Sequence, residues 1–139
     1  MKVTALVLHE KYPTFGLSTF KDGAPKEWIP AATAQFDDID EDSFTAADGH
    51  TACHLCELLF QATNSIDAAW HMTPQAHDGF TLNPKQSLRS TSVGDVIIFF
   101  FNGKHLANRC AACGWTLLDN EQLAKLHLDK EIASAQSGS

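Results

Sequence analysis

Basic residues are scarce in this chain of 139 residues. Ten lysines and arginines stand against seventeen aspartates and glutamates, which gives a formal net charge of −7. Binding to a phosphate backbone without sequence preference depends on clustered lysine and arginine, so the composition disfavours nucleic acid as a partner. A small acidic protein can instead offer carboxylates to a basic surface. Here, however, the charge is modest and partly concentrated at residues 37–42, where we expect a solvated turn.

Long hydrophobic segments are also missing near the start of the chain. The opening apolar run covers only residues 3–8 and is followed by His9 and Glu10. Such a run is too short for the hydrophobic part of a secretory signal or for a membrane span. We therefore expect a cytoplasmic protein that does not engage a membrane. In that reducing compartment, the four cysteines are expected to be thiols or metal ligands rather than disulfides.

The sequence shows no catalytic signature. It contains neither the HxE and PCxxC pairing of the zinc-dependent nucleobase deaminases nor a Ser/His/Asp pattern or a phosphate-binding loop. This favours a protein that is not an enzyme and predicts no catalytic residues.

Length and composition favour one domain with its own core. With 44% hydrophobic residues, residues 1–130 can form a single α+β domain, and the polar residues 131–139 are expected to form a flexible tail. Strands are predicted at residues 2–9 and 31–36, with a loop between them that extends to Pro30. Residues 67–87 are predicted to be a long loop because Pro74, Gly79 and Pro84 interrupt any regular element.

The clearest local patterns lie in the second half of the chain. Apolar residues at helical spacing predict a helix over residues 51–62. The run GDVIIFFF at residues 94–101 precedes Asn102-Gly103, which predicts a tight hairpin that returns over residues 104–110. A short strand at residues 115–118 and a C-terminal helix opened by an Asp119 and Gln122 capping box follow. The predicted fold is α+β: a small antiparallel sheet with a C-terminal hairpin, one central helix packed on it and a C-terminal helix.

The four cysteines form two CxxC pairs, Cys53 with Cys56 and Cys110 with Cys113. Zinc prefers tetrahedral thiolate coordination, and residues three apart in a turn or helix can aim two sulfurs at one point. The second pair is followed by Gly114, as in a zinc knuckle, where glycine lets backbone amides approach a thiolate. The two pairs are more than fifty residues apart, so the fold would have to assemble the site.

Two other interpretations of these cysteines stay open. Free cysteine behaves as a small hydrophobic residue, so Cys53 and Cys56 could lie on the apolar stripe of the helix while the second pair fills the end of a strand. A redox CxxC pair is the third interpretation, although the residues after Cys113 look extended rather than helical. His54, between two candidate ligands, is the residue best placed to substitute for a missing cysteine.

Residues 89–115 resemble the small YodL-like proteins of phages, plasmids and bacterial mobile elements. The resemblance rests on Arg89-Ser90, on the stretch from Ser92 to Val96 that includes Asp95, on the Gly103-Lys104 turn, and on Gly114-Trp115. Upstream, the family pattern looks like a helix that ends in Phe-x-x-Thr-Asn and is followed by an aspartate. This chain is similar at Phe60, Thr63, Asn64 and Asp67. The insertion before this helix and the cysteines depart from the pattern.

The resemblance implies a compact α+β domain with a role in mobile-element biology and no common catalytic residues. The most distinctive polar residues of the resemblance are candidates for a binding surface, namely Arg89, Ser90, Ser92 and Asp95. The aromatic Trp70 is a further candidate. The same polar residues could simply build the turn into the hairpin.

Two functions are therefore expected from the sequence. The first is a non-enzymatic accessory protein of a phage or mobile element that binds a host protein, for example in anti-defence or host takeover. The second is a zinc-binding structural module, which could contact nucleic acid only through a basic face. The sequence identifies neither the partner protein nor the oligomeric state.

Overall fold

The computed structural model describes residues 1–10, 28–46, 49–63, 75–77, 80–84, 91, 94–111 and 114–137. Its seven strands are β1 (Val3–Glu10), β2 (Trp28–Phe36), β3 (Gln75–His77), β4 (Phe80–Pro84), β5 (Val96–Phe101), β6 (Lys104–Cys110) and β7 (Trp115–Leu117). Its four helices are α1 (Glu41–Phe44), α2 (His50–Ala62), α3 (Asn120–Lys125) and α4 (Leu128–Ser137).

The strands form one sheet in the order β3-β4-β2-β1-β5-β6-β7. All neighbouring strands are antiparallel. The predicted α+β fold is thus confirmed, with a central helix on an antiparallel sheet, a C-terminal hairpin and a C-terminal helix.

The interior strand β5 is apolar throughout because both of its faces are covered. Successive side chains of a strand point to opposite faces, and Ile97, Phe99 and Phe101 join the core on the side of α1 and α2. Val96 and Ile98 join a second core, which includes residues of α3 and α4. The continuous run VIIFFF, rather than an alternating pattern, reflects this burial on two sides.

The core under α1 is centred on Phe44. This ring is 1% exposed and makes edge contacts with Phe99 and Phe101, with centroid separations of 5.3 and 4.9 Å. Leu55, Cys56 and Leu59 of α2 pack in the same core. These residues are spaced by about one helical turn, so they lie on one face of α2, and that face packs on the sheet.

The hairpin and the capping box agree with the sequence. Asn102 and Gly103 have φ values of 47° and 74°, as a tight turn of this kind requires, and Phe99 pairs with Leu106. The Asp119 side chain accepts from the Gln122 amide, and the Gln122 side chain accepts from the Asp119 amide.

Four boundary predictions are wrong. Residues 75–77 and 80–84 form β3 and β4 inside the segment predicted as a loop, because pairing with β2 supplies their hydrogen bonds. β2 begins at Trp28 rather than after Pro30. Asp40 caps α1 within the predicted acidic turn. The C-terminal helix is divided at His127, whose φ is 60°.

Residues 131–137 belong to α4, although the sequence predicted a flexible tail from residue 131. Ile132 explains the difference because its side chain is 6% exposed and packs in the core beneath α3 and α4. Within the part of the chain that the structure describes, no helix is long and apolar enough to cross a membrane.

Replacing Phe44 by alanine tests the packing of α1 and α2 on the sheet. We expect Phe44→Ala to lower the free energy of unfolding by about 3–5 kcal/mol, because it removes a buried ring and leaves a cavity. The matched control is Leu117→Ala, since this side chain is 59% exposed and its loss should cost less than about 0.5 kcal/mol. Urea unfolding of both variants gives the comparison, and equal losses would contradict this account of the core.

Candidate functional site

Three of the four cysteines are among the described residues, on α2 and β6, and we call Cys53, Cys56 and Cys110 the thiol corner. Cys53 and Cys56 are in the middle of α2, three residues apart and therefore on one side of the helix. Cys110 is the last residue of β6 and is 7% exposed. Cys113 lies outside the described residues.

Trp115 of β7 connects α2, which carries the first CxxC pair, with the end of β6, which carries Cys110. Trp115 pairs directly with Cys110 across the sheet. Its indole Nε1 donates to Glu57 Oε1 at 2.7 Å, and its ring meets the Phe60 ring edge-on at a centroid separation of 6.2 Å. The helical turn that follows Cys56 is thus held against the strand position opposite Cys110.

The thiols also influence one another electrostatically. Burial raises the pKa of the Cys56 thiol well above its usual value, and Cys53, Glu57 and Cys110 increase it further. None of Cys53, Cys56 and Cys110 is in a disulfide.

Cys110 is buried and is also influenced by carboxylates. Burial raises the pKa of its thiol to about 11, with further contributions from the carboxylates of Asp95 and Glu57. Of the two hydrophobic clusters formed by described residues, Cys56 belongs to one and Cys110 to neither. A hydrophobic role fits Cys56, and it fits Cys110 less well because two carboxylates influence its thiol.

The raised pKa values bear on the redox interpretation. The thiolate is the reactive form of cysteine, and redox CxxC pairs lower the pKa of one thiol so that it forms near neutral pH. Cys56 and Cys110 are shifted in the opposite direction. Their environment disfavours thiolates unless a cation compensates the charge, as a bound metal ion does.

Ala111 and Gly114 are the described residues of the turn between β6 and β7. Gly114 has a φ of 83°, a left-handed conformation that glycine adopts without strain. A Cβ atom there would meet no atom within 4 Å, so conformation rather than space explains the glycine. The Ala111 amide donates to the Gly114 carbonyl oxygen at 2.9 Å, which closes the turn.

A chain of buried hydroxyl groups lies at the C-terminal end of α2. The Thr63 hydroxyl donates to the Leu59 carbonyl oxygen at 2.8 Å, so its oxygen accepts the Thr91 hydroxyl proton at 2.6 Å. The Thr91 oxygen then accepts from His9 Nε2 at 2.8 Å, which places a proton on Nε2. A histidine that activates a hydroxyl nucleophile must instead accept from it, so this arrangement ties β1 to α2 and does not activate Thr91.

Asp95 connects the two ends of the site. It is 1% exposed, its Oδ2 lies 4.0 Å from His9 Nε2, and its carbonyl oxygen accepts from the Cys110 amide at 2.8 Å. Asp95 is therefore buried rather than part of an exposed surface. The other candidates for a binding surface, Arg89, Ser90, Ser92 and Trp70, lie outside the described residues.

His9 and Asn108 were not evident from the sequence as polar residues of this site. Asn108 is 3% exposed and lies two residues before Cys110. A signal for it exists, because the predicted turn at Asn102-Gly103 fixes the pairing of Asn108 with Ile97. An asparagine opposite a buried isoleucine is unusual and marks a position with a specific role.

No group of three or more histidine, cysteine, aspartate or glutamate side chains among the described residues is arranged to hold a metal ion. Comparison of the chain with family models, curated proteins and solved structures finds no significant match. The resemblance to YodL-like proteins therefore stays a prediction.

The shifted pKa of Cys110 predicts how stability depends on pH in the absence of metal. Between 9.0 and about 11, the folded protein retains the thiol proton and the unfolded chain releases it. Proton release therefore favours unfolding, and stability falls as pH rises through this range.

Urea unfolding in the presence of a chelator measures this dependence. The Cys110→Ala variant is the control and should lose stability less steeply over the same range, because the proton that the Cys110 thiol retains in the folded protein is then absent. Identical slopes for the two proteins would contradict the placement of Cys110 in a buried, acidic environment.

Proposed function

We propose that this chain is a non-enzymatic binding module in which one zinc ion, held by Cys53, Cys56, Cys110 and Cys113, joins α2 to the hairpin of β6 and β7. The observation that supports the proposal is the contact of Trp115, the cross-strand partner of Cys110, with Glu57, the residue that follows Cys56 on α2. Four thiolates would complete the tetrahedral shell that structural zinc sites use and leave no position for a substrate.

Electrostatics favours a cation at this position. Asp95 and Glu57 contribute negative charge near Cys110, and deprotonated thiols would add more. A divalent cation compensates this charge and stabilises the thiolates in an otherwise unfavourable environment. Because metal binding is coupled to deprotonation and folding, the final ligand geometry is expected to form together with the bound ion.

Native mass spectrometry tests the zinc proposal. We expect one zinc per chain, lost on denaturation and lost or weakened in Cys56→Ser and Cys113→Ser. His54→Ala is the matched control, since His54 is exposed on α2 between the two cysteines and its loss should leave the zinc bound. A metal-free wild-type protein, or full zinc retention in both cysteine variants, would contradict the proposal.

The second candidate function, binding to a host protein, is favoured by the free edge of β7. Within the described part of the sheet, β7 is an edge strand, and Leu117 is the exposed large hydrophobic residue there. The Leu118 amide bonds to Ala107 and the Gly114 carbonyl bonds to Ala111. Alternation along an antiparallel pair then directs the backbone groups of Trp115 and Leu117 outward, where an extended segment of a partner protein can add as a strand.

Leu117→Lys tests this edge, with Thr116→Lys as its control on the opposite face of β7. We expect the first change to abolish capture of a host protein and the second to preserve it. The captured protein should also slow hydrogen exchange at the Trp115 and Leu117 amides. Equal capture by both variants, or protection that arises only from self-association in sedimentation, would overturn the proposal for a host protein.

A further inference from the structure

Asn108 carries a buried hydrogen-bond donor that lacks an acceptor. Its side-chain Nδ2 has no partner among the described residues, and the residue is 3% exposed. Buried amide groups in folded proteins nearly always find a partner, because an unsatisfied donor loses its bonds to water without replacement. The position therefore calls for an acceptor that the metal-free protein does not provide.

The strand pattern shows where that donor lies. Asn108 and Cys110 are two residues apart on β6 and therefore share one face of the sheet. Asn108 pairs with Ile97 on one side and Leu117 on the other. Since Ile97 belongs to the core that includes Cys56 of α2, the asparagine lies on the face that carries the thiol corner and has apolar residues as its cross-strand neighbours.

The protonation state of Cys110 changes what its sulfur can do. Without metal, the Cys110 thiol is a weak donor and lies 3.8 Å from the Ala111 carbonyl oxygen. Binding to zinc displaces the thiol proton into solvent and leaves a thiolate, which accepts hydrogen bonds. Groups that orient metal ligands through hydrogen bonds contribute strongly to metal affinity.

We propose that the Asn108 side-chain amide donates a hydrogen bond to the zinc-bound Cys110 thiolate and so positions this ligand. This inference rests on the proposed zinc site. It assigns Asn108 as a positioning residue, and it explains why a polar side chain occupies a buried position between two apolar partners.

Asn108→Leu removes the donor while retaining a side chain of similar size. We expect its zinc affinity to fall by about 10- to 100-fold in competition with a chromophoric chelator. The stability of the metal-free protein should be unchanged or higher, because the unsatisfied donor is gone. Asn108→Asp, which is nearly isosteric and replaces the donor with a negative charge, should weaken zinc at least as much and provides a second variant if the leucine variant does not fold.

Cobalt(II) supplies a readout that a purely structural role would not change. An N–H bond to a thiolate lowers the energy of the sulfur electrons, so its loss should shift the thiolate-to-cobalt charge-transfer absorption to longer wavelength. Ile97→Val is the matched control because it loosens packing in the same cross-strand row and keeps the donor. It should leave the position of this band unchanged.

The outcomes separate the two proposals. If the wild-type protein binds neither zinc nor cobalt, the zinc site itself is wrong. If it binds both ions, and Asn108→Leu retains wild-type affinity and an unshifted band, the zinc site stands and the role of Asn108 is overturned. A loss of affinity that accompanies a loss of metal-free stability, with no spectral shift, would likewise overturn it.

Discussion

The packing of α2 on one face of the sheet determines where the polar groups of this protein lie. Leu55, Cys56 and Leu59 are buried in that contact, so the neighbouring turns of the helix have little freedom to move. One end of α2 consequently holds Thr63 against Thr91. The middle and second half of the helix contact β7 through Glu57 and Phe60. A helix that packed in another direction would lose these contacts.

A conflict between burial and charge distinguishes the thiol corner from the rest of the core. Elsewhere on this face the sheet buries aliphatic and aromatic side chains. Around Cys110 it buries a thiol close to carboxylates, and the thiol pKa rises in response. Such an environment is costly for thiolates alone and favourable for thiolates that bind a divalent cation. Under the zinc proposal, a buried amide donor at Asn108 is retained in an apolar row because it bonds to a thiolate ligand.

Local patterns predicted much of the fold. The apolar stripe of α2, the Asn102-Gly103 turn and the Asp119 cap each act over a few residues, and all three are present. β3 and β4 were missed because their stability comes from pairing with β2, far away in sequence. The break at His127 was missed because a left-handed residue other than glycine leaves little trace in an apolar pattern.

For the candidate site too, local spacing predicted one part, and the packing of the whole domain determined the rest. The CxxC spacing identified the cysteines, but whether the pairs meet depended on the direction in which α2 crosses the sheet, and that is a property of the whole core. The polar groups around Cys110 were likewise not evident, because they depend on tertiary contacts. Glu57 accepts from Trp115, the cross-strand partner of Cys110, and the Asp95 carbonyl oxygen accepts from the Cys110 amide. Sequence alone therefore left the metal, core and redox interpretations open.

X-ray absorption at the zinc edge, on protein purified with its metal, tests the central claim most directly. If both CxxC pairs bind one ion, the spectrum will contain four sulfur neighbours at about 2.3 Å. A shell with only two sulfurs, completed by nitrogen or oxygen, would show that the pairs do not share the ion and would contradict the account.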